Sequence, residues 1–184
     1  MKEIALHLLD IVQNSVKAGA AHVDIGFVLG TDGVLTMTVR DDGCGMSPEF
    51  VERVRSPFVT TRTTRKVGLG IPLLMQNAMQ SGGGVEIESE QGRGTTVTAT
   101  FHTDSIDCLP LGDLAATIAT IIMGSPDTPE FSLHCESTAG EMDFSTEQIR
   151  PVLAGVSLSE PSVVRWIQES LQEDISPILG GIMS

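Results

Sequence analysis

Three groups of residues in this chain combine reactive side chains at suggestive intervals. The first is Asp41-Asp42-Gly43-Cys44-Gly45-Met46, an acid followed by alternating glycines. Its carboxylate could accept from an exocyclic amine, and its glycines let backbone come close to a flat ligand. The second is Lys66-Val67-Gly68-Leu69-Gly70, preceded by the hydroxyl- and cation-rich run Thr60-Thr61-Arg62-Thr63-Thr64-Arg65. A glycine pair opening a helix points unpaired N–H groups and a positive dipole end at an anion. The third is Asp10, Asn14 and Lys17, at i, i+4 and i+7, within an arc of about 60° on a helix. An Asn oxygen is a hard ligand for Mg2+, Lys is a point cation for phosphate, and a carboxylate near the metal could serve as a base. The rival reading of this third group is an ordinary amphipathic helix, and a lone Asp-Gly pair also marks a turn. The two glycine runs stand about 25 residues apart. Together they suggest one nucleotide, its base at the first run and its phosphates at the second. That is an ATP site.

The scaffold for these residues follows from periodicity. Residues 3–18 read as a helix ended by Gly19, with Ile4, Leu8, Ile11, Val12 and Val16 on one broad side and His7, Asp10, Asn14 and Lys17 on the other. His7 is read as solvated or as a distant support to the site. His22–Leu29 and Val34–Arg40 alternate around Gly30-Thr31-Asp32-Gly33, a hairpin pattern. Asp41 then follows a strand directly, and Asp42 and Cys44 are read as spacers. Ser47-Pro48-Glu49 starts a helix running to about Val54. A polar loop over 55–67 should fold over a ligand as a lid. Gly70 opens a helix to about Gln80, and Val85–Glu90 with Thr95–His102 form a second strand pair. This order suits a two-layer α/β (α+β) sandwich, helices on one face of a mixed sheet. Residues 103–109 read as a boundary between 1–104 and a small α+β domain over 105–184. In the latter, helices are expected at Leu111–Met123, Ser145–Leu153 and Pro161–Glu173, and a hairpin at Glu130–Ser137 with Glu141–Ser145.

Composition narrows the partners. The net charge of −13 argues against nucleic acid, whose phosphates need clustered cations. Residues 105–184 carry twelve acids and two bases, whereas six of the eleven bases fall between positions 40 and 66. A basic island in an acidic protein is expected where a polyanion binds, though scattered charges on a solvated loop would look the same. No apolar run approaches the roughly 18 residues of a membrane span, and the N-terminus lacks the pattern of a secretion signal. Cys44, Cys108 and Cys135 read as reduced thiols in the cytoplasm without metal-ligand spacing.

Residues 3–102 resemble the ATP-binding domain shared by gyrase, the ninety-kilodalton heat-shock chaperone, histidine kinases and MutL. Asn14-Ser15-Val16-Lys17-Ala18-Gly19-Ala20 through Asp41–Met46 is most similar to MutL. Ser56-Pro57-Phe58-Val59-Thr60-Thr61, Gly68-Leu69-Gly70-Ile71 and Gly92-Arg93-Gly94-Thr95-Thr96 are closer to histidine kinases. The resemblance implies that Asn14 ligates Mg2+, that Asp41 binds the adenine amine and that Thr95 shares a water with it. Gly43, Gly45, Gly68 and Gly70 would shape the pocket together with Met46, Phe58, Thr60, Thr61 and Leu69. Lys17, Arg62 and Lys66 would meet phosphate. Asp10 stands where such ATPases often carry Glu, one methylene shorter, as the candidate base. The chain starts at the Asn-bearing helix, so the strand and helix that usually precede it are expected to be missing. No helix pair with an acceptor histidine is seen, so the expected activity is phosphotransfer to, or ATP gating of, a separate protein, an anti-sigma-type serine kinase being one model. A slow ATPase switch and a non-catalytic ATP-binding module are the alternatives. Residues 105–184 would select the protein partner or cover the sheet, and a homodimer is a further option.

Overall fold

The computed structural model describes residues 2–55 and 70–182. It opens with α1 (Ile4–Lys17), whose Ile4, Leu8, Ile11 and Val12 recur at helical spacing and are all buried. Gly19, at φ +71°, closes the helix in a left-handed turn. The hairpin β1 (His22–Leu29) and β2 (Val34–Asp41) follows. In α2 (Pro48–Arg55) the hydroxyl of Ser47 accepts from the Phe50 N–H at 3.3 Å, the expected N-cap. Then come α3 (Gly70–Gln80), β3 (Gly84–Glu90) and β4 (Gly94–His102). The sequence boundaries of these elements hold to within one residue.

The rest of the chain is α4 (Leu114–Gly124), β5 (Glu130–Ser137), β6 (Gly140–Ser145), α5 (Thr146–Ile149), α6 (Pro161–Leu179) and a closing 3-10 turn, Gly180–Ile182. All six strands form one sheet in the order β3-β4-β2-β1-β5-β6. Among the described residues only the β1–β5 pair is parallel, His22 to Val28 lying beside Glu130 to Glu136. Helices pack on one face: α4 touches α1 and α6, α6 touches β5 and β6, and α3 touches β3 and β4. Val23, Ile25 and Phe27 on β1, with Leu35, Met37 and Val39 on β2, are buried towards that layer. The alternate positions carry threonines such as Thr36, Thr38, Thr96 and Thr98. Apolar residues alternating with polar ones are what a sheet covered on one side requires.

Residues 105–184 contribute two strands to this same sheet. The β5–β6 hairpin adds its strands beside β1, and Phe27, Phe101, Ile118 and Ile167 belong to one core. Three backbone hydrogen bonds bind the segments at the foot of α1. Its first free N–H groups, on Ile4 and Ala5, donate to the carbonyls of Pro110 and Leu111, and the Leu111 N–H donates to Ile182. These supply acceptors that a helix start otherwise lacks.

Three helix boundaries in this segment also differ. Leu111 is committed to those backbone contacts and Gly112 sits at φ +80°, so α4 starts after Asp113, whose carboxylate accepts from the Ala116 N–H. The expected helix over 145–153 stops at Ile149, because Pro151 follows and Ala154 and Gly155 take positive φ. By contrast α6 runs six residues past the expected Glu173 and through Pro177. An interior proline costs a helix about 3 kcal/mol. Ile175 and Leu179 are fully buried there, each worth about 1.5–3 kcal/mol, and outweigh it. No helix among the described residues is long and apolar enough to cross a membrane.

Candidate functional site

Asp41 ends β2 with its side chain on the helix-covered face, as its alternation with Val39 and Met37 dictates. The buried carboxylate is fixed from two sides. Ser15 of α1 donates its hydroxyl to Oδ2 at 2.6 Å, and the Gly43 N–H donates to Oδ1 at 2.9 Å. One donor on each oxygen sets the rotamer and leaves further lone pairs for a ligand. Thr95, on β4, is the direct cross-strand partner of Asp41. Asp41 and Thr95 line a cleft of about 600 Å3, together with Asn14, Gly45 and Met46. Its apolar walls come from Ile11, Val39, Phe50, Val54, Ile71 and Val97. A flat heterocycle with one polar edge suits such a cleft.

Close approaches build it. Gly45 has φ +64°, and a β-carbon there would collide with the Glu90 carbonyl oxygen. On Gly94, at φ +115°, it would collide with the Asp41 carbonyl oxygen. A β-carbon on Gly43 would come 2.9 Å from the Ala18 Cβ. The glycine alternation therefore also serves an approach within the protein itself. It lets the loop nest between the end of α1 and the β3–β4 turn, where the Cys44 N–H donates to Ala18 and the Gly92 N–H to Cys44. Asp42 is no spacer either. Its carboxylate accepts from the N–H groups of Ala21 and His22 and pairs with the His22 imidazole at 2.9 Å. The His22 N–H and ring hold the Asp42 carboxyl below the usual range, and Asp42 in turn raises His22.

Asn14 is exposed on the cleft wall, and its amide makes no hydrogen bond among the described residues. A free hard oxygen there fits one ligand of a phosphate-bound Mg2+. No cluster of three or more His, Cys, Asp or Glu side chains among the described residues could hold a metal by itself. Asp10 and Lys17 do not line this cleft. Asp10 stands against the start of α3, where a β-carbon on Gly70 would lie 3.1 Å from the Asp10 Cβ and 3.3 Å from Oδ2. Lys17 is exposed on the last turn of α1. The remaining expected residues, Phe58, Thr60, Thr61, Arg62, Lys66, Gly68 and Leu69, lie outside the described residues.

His7 departs from the expectation of a solvated side chain. It is fully buried between α1 and α3, its Nε2 2.8 Å from the Asn77 amide nitrogen and its Nδ1 without a partner among the described residues. Burial, and then the amino-terminal charge, push its pKa down against the smaller pull of Asp10. The ring is therefore neutral at pH 7.

Two site residues were not singled out by motif. Ser15 falls four residues after Ile11, inside the apolar stripe of α1, and Ser89 follows Val85 and Ile87 at inward-facing positions of β3. A small hydroxyl interrupting an apolar period was the available signal in both.

Comparison with known proteins agrees with this geometry. The family model for histidine kinase-, DNA gyrase B- and HSP90-like ATPases matches residues 2–105. Among curated relatives, the histidine protein kinase DivJ of Caulobacter vibrioides is 37% identical over 103 residues, 53% of this chain and 17% of that protein. The sensor histidine kinase CpxA of Escherichia coli is 35% identical over 86 residues, 44% of this chain and 19% of that one. Sporulation kinase D of Bacillus subtilis is 32% identical over 100 residues, covering 52% and 20%. The match thus spans about a fifth of these relatives' length. A crystal structure of the N-terminal domain of a DNA repair protein shares the fold, with a TM-score of 0.52 at 15% identity over 79% of this chain and 53% of that one. The chain belongs to the histidine kinase-, DNA gyrase B- and HSP90-like ATPase family.

Proposed function

We propose that the chain binds Mg·ATP in the Asp41 cleft and uses it to phosphorylate, or to gate by nucleotide, a separate protein. The observation that carries the nucleotide part is the Asp41 carboxylate, held by Ser15 and Gly43 at the floor of a largely apolar cleft with Asn14 on its wall. A buried acceptor beside apolar walls matches the adenine amine and ring, and the Asn14 amide oxygen would supply one ligand to a triphosphate-bound Mg2+. The basic run Arg62–Lys66 would meet the phosphates. Residues 105–184, with two bases against twelve acids, favour a basic protein surface as partner through long-range attraction.

Hydrolysis is the second reading, and the position of Asp10 favours it. Its carboxylate lies at the N-terminal end of α3, the end of a helix that attracts phosphate, where a base for an attacking water is needed. Incubation with terminally labelled Mg·ATP, alone and with a cell extract, separates the readings. Label on a second protein supports phosphotransfer. Free phosphate released by the protein alone supports hydrolysis, and its loss in Asp10→Asn assigns the base. Tight binding with neither product leaves gating.

A further inference from the structure

Ser89 stands where three strands and a loop meet. Across the top of the sheet Ser89 pairs with Thr95, and Thr95 pairs with Asp41. The Ser89 hydroxyl makes three contacts. It accepts from the Met46 N–H at 2.8 Å, donates to the Gly94 carbonyl at 3.0 Å, and lies 2.8 Å from the Thr95 hydroxyl. It has one proton to give. If that proton goes to Gly94, a buried residue, then Thr95 must be the donor in the 2.8 Å contact. The alternative sets the Ser89 oxygen's lone pairs 3.0 Å from those of a carbonyl that can only accept, which is the more costly arrangement.

We propose that Ser89 is a positioning residue that turns the Thr95 hydroxyl so that only its lone pairs face the cleft, making the floor an acceptor pair selective for a 6-aminopurine. Asp41 is already an acceptor. With Thr95 fixed as a second one, the adjoining cross-strand positions both demand protons from the ligand, directly or through a water. An exocyclic amine has two. A 6-oxo group has none and would face lone pairs with lone pairs, the kind of mismatch a hydrogen-bonding site rejects strongly. The tie from Ser89 to Met46 also holds the loop that walls the base end of the cleft. This inference rests on the adenine reading above and adds to it the group that sets the direction of the protons.

Inosine triphosphate is the probe, since its base differs from adenine by the 6-oxo group and the proton at N1. Wild-type protein, Ser89→Ala and Ser89→Thr are each titrated with Mg·ATP and with Mg·ITP by calorimetry. In Ser89→Ala the Thr95 proton is released to donate into the cleft, so the preference for ATP over ITP should fall roughly tenfold, about what one exchanged hydrogen bond is worth. Ser89→Thr keeps the hydroxyl and should keep the preference. A merely structural Ser89 would weaken both nucleotides equally, and an unchanged ratio in Ser89→Ala would overturn the proposal. If the alanine variant does not fold, Thr95→Val, which removes the second acceptor from the floor, takes its place: the ratio must fall there too, and an unchanged one overturns the proposal. Wild-type protein that binds both nucleotides alike would refute the role of Ser89 while leaving a nucleotide site. Binding of neither would refute the nucleotide reading itself.

Discussion

Replacing Asp41 by Asn should weaken Mg·ATP while leaving the fold in place, and the size of the loss follows from the carboxylate's partners. Two protein donors hold it, the Ser15 hydroxyl at 2.6 Å and the Gly43 N–H at 2.9 Å. An Asn side chain can keep its oxygen on the Gly43 N–H, which cannot reverse, and turn its NH2 to Ser15, whose hydroxyl can become the acceptor. Both internal bonds survive, so the loss inside the protein is small. Towards the cleft the change is not neutral. An ionised acceptor for the base amine is replaced by a neutral amide, removing a charge-assisted hydrogen bond worth about 1.5–3 kcal/mol. That corresponds to a rise in Kd of roughly 10- to 150-fold. Calorimetric titration with Mg·ATP reads this directly, with circular dichroism to show that the variant is folded. A folded variant of near wild-type affinity would refute the placement of the base at Asp41.

Three more expectations come from the same geometry. Asn14→Ala should weaken Mg·ATP far more than adenosine, because Asn14 is expected to act through the metal; equal losses in parallel titrations would make it a wall residue only. Acid should destabilise the protein through His7. Burial lowers its folded pKa below the ordinary 6.5, so the unfolded chain binds the proton first and stability falls as pH drops from about 6.5 towards the folded value. The exposed His22 and the half-buried His134, raised by Asp42 and Asp143, act the other way: their contribution is present below about 6.5 and is lost as pH rises through their folded values. Urea midpoints between about pH 5 and 8 should therefore show a shallower acid loss in His7→Gln than in wild type, and an identical profile would remove His7 from the explanation. A chain ending at Thr103 should fail to fold, since β1 would lose the parallel ladder to Glu130–Glu136 and α1 the acceptors Pro110 and Leu111. Recovery of soluble 1–103 that binds ATP at full strength would show that the C-terminal segment is dispensable to the site.

The sequence carried local information well and long-range pairing poorly. Helical and strand periods placed α1, β1, β2, α3, β3 and β4 because each has its own apolar face and a glycine at or near one end. What no period could reveal was which edge the hairpin Glu130–Ser145 would join. That depends on β1 having an open side beside Val23, Ile25 and Phe27, a fact of three dimensions. The site was legible in part for the same reason. Asp41, Asn14, Gly45, Met46 and Thr95 announce themselves by motif and meet in one cleft. Ser15 and Ser89 had only a weak signal, a hydroxyl in an apolar period, because their role is to hold other residues across a fold. His7 misled, since a helical wheel assigns it to the polar side and cannot know that α3 covers that side.

A structure of this chain determined with Mg2+ and a non-hydrolysable ATP analogue would show outright whether the Asp41 cleft is the nucleotide site. The adenine ring is expected between the apolar walls of that cleft, its amine about 2.9 Å from the Asp41 carboxylate, with Asn14 on the metal side of the triphosphate. A nucleotide bound elsewhere on the molecule, or one in this cleft with its amine turned away from Asp41, would contradict it.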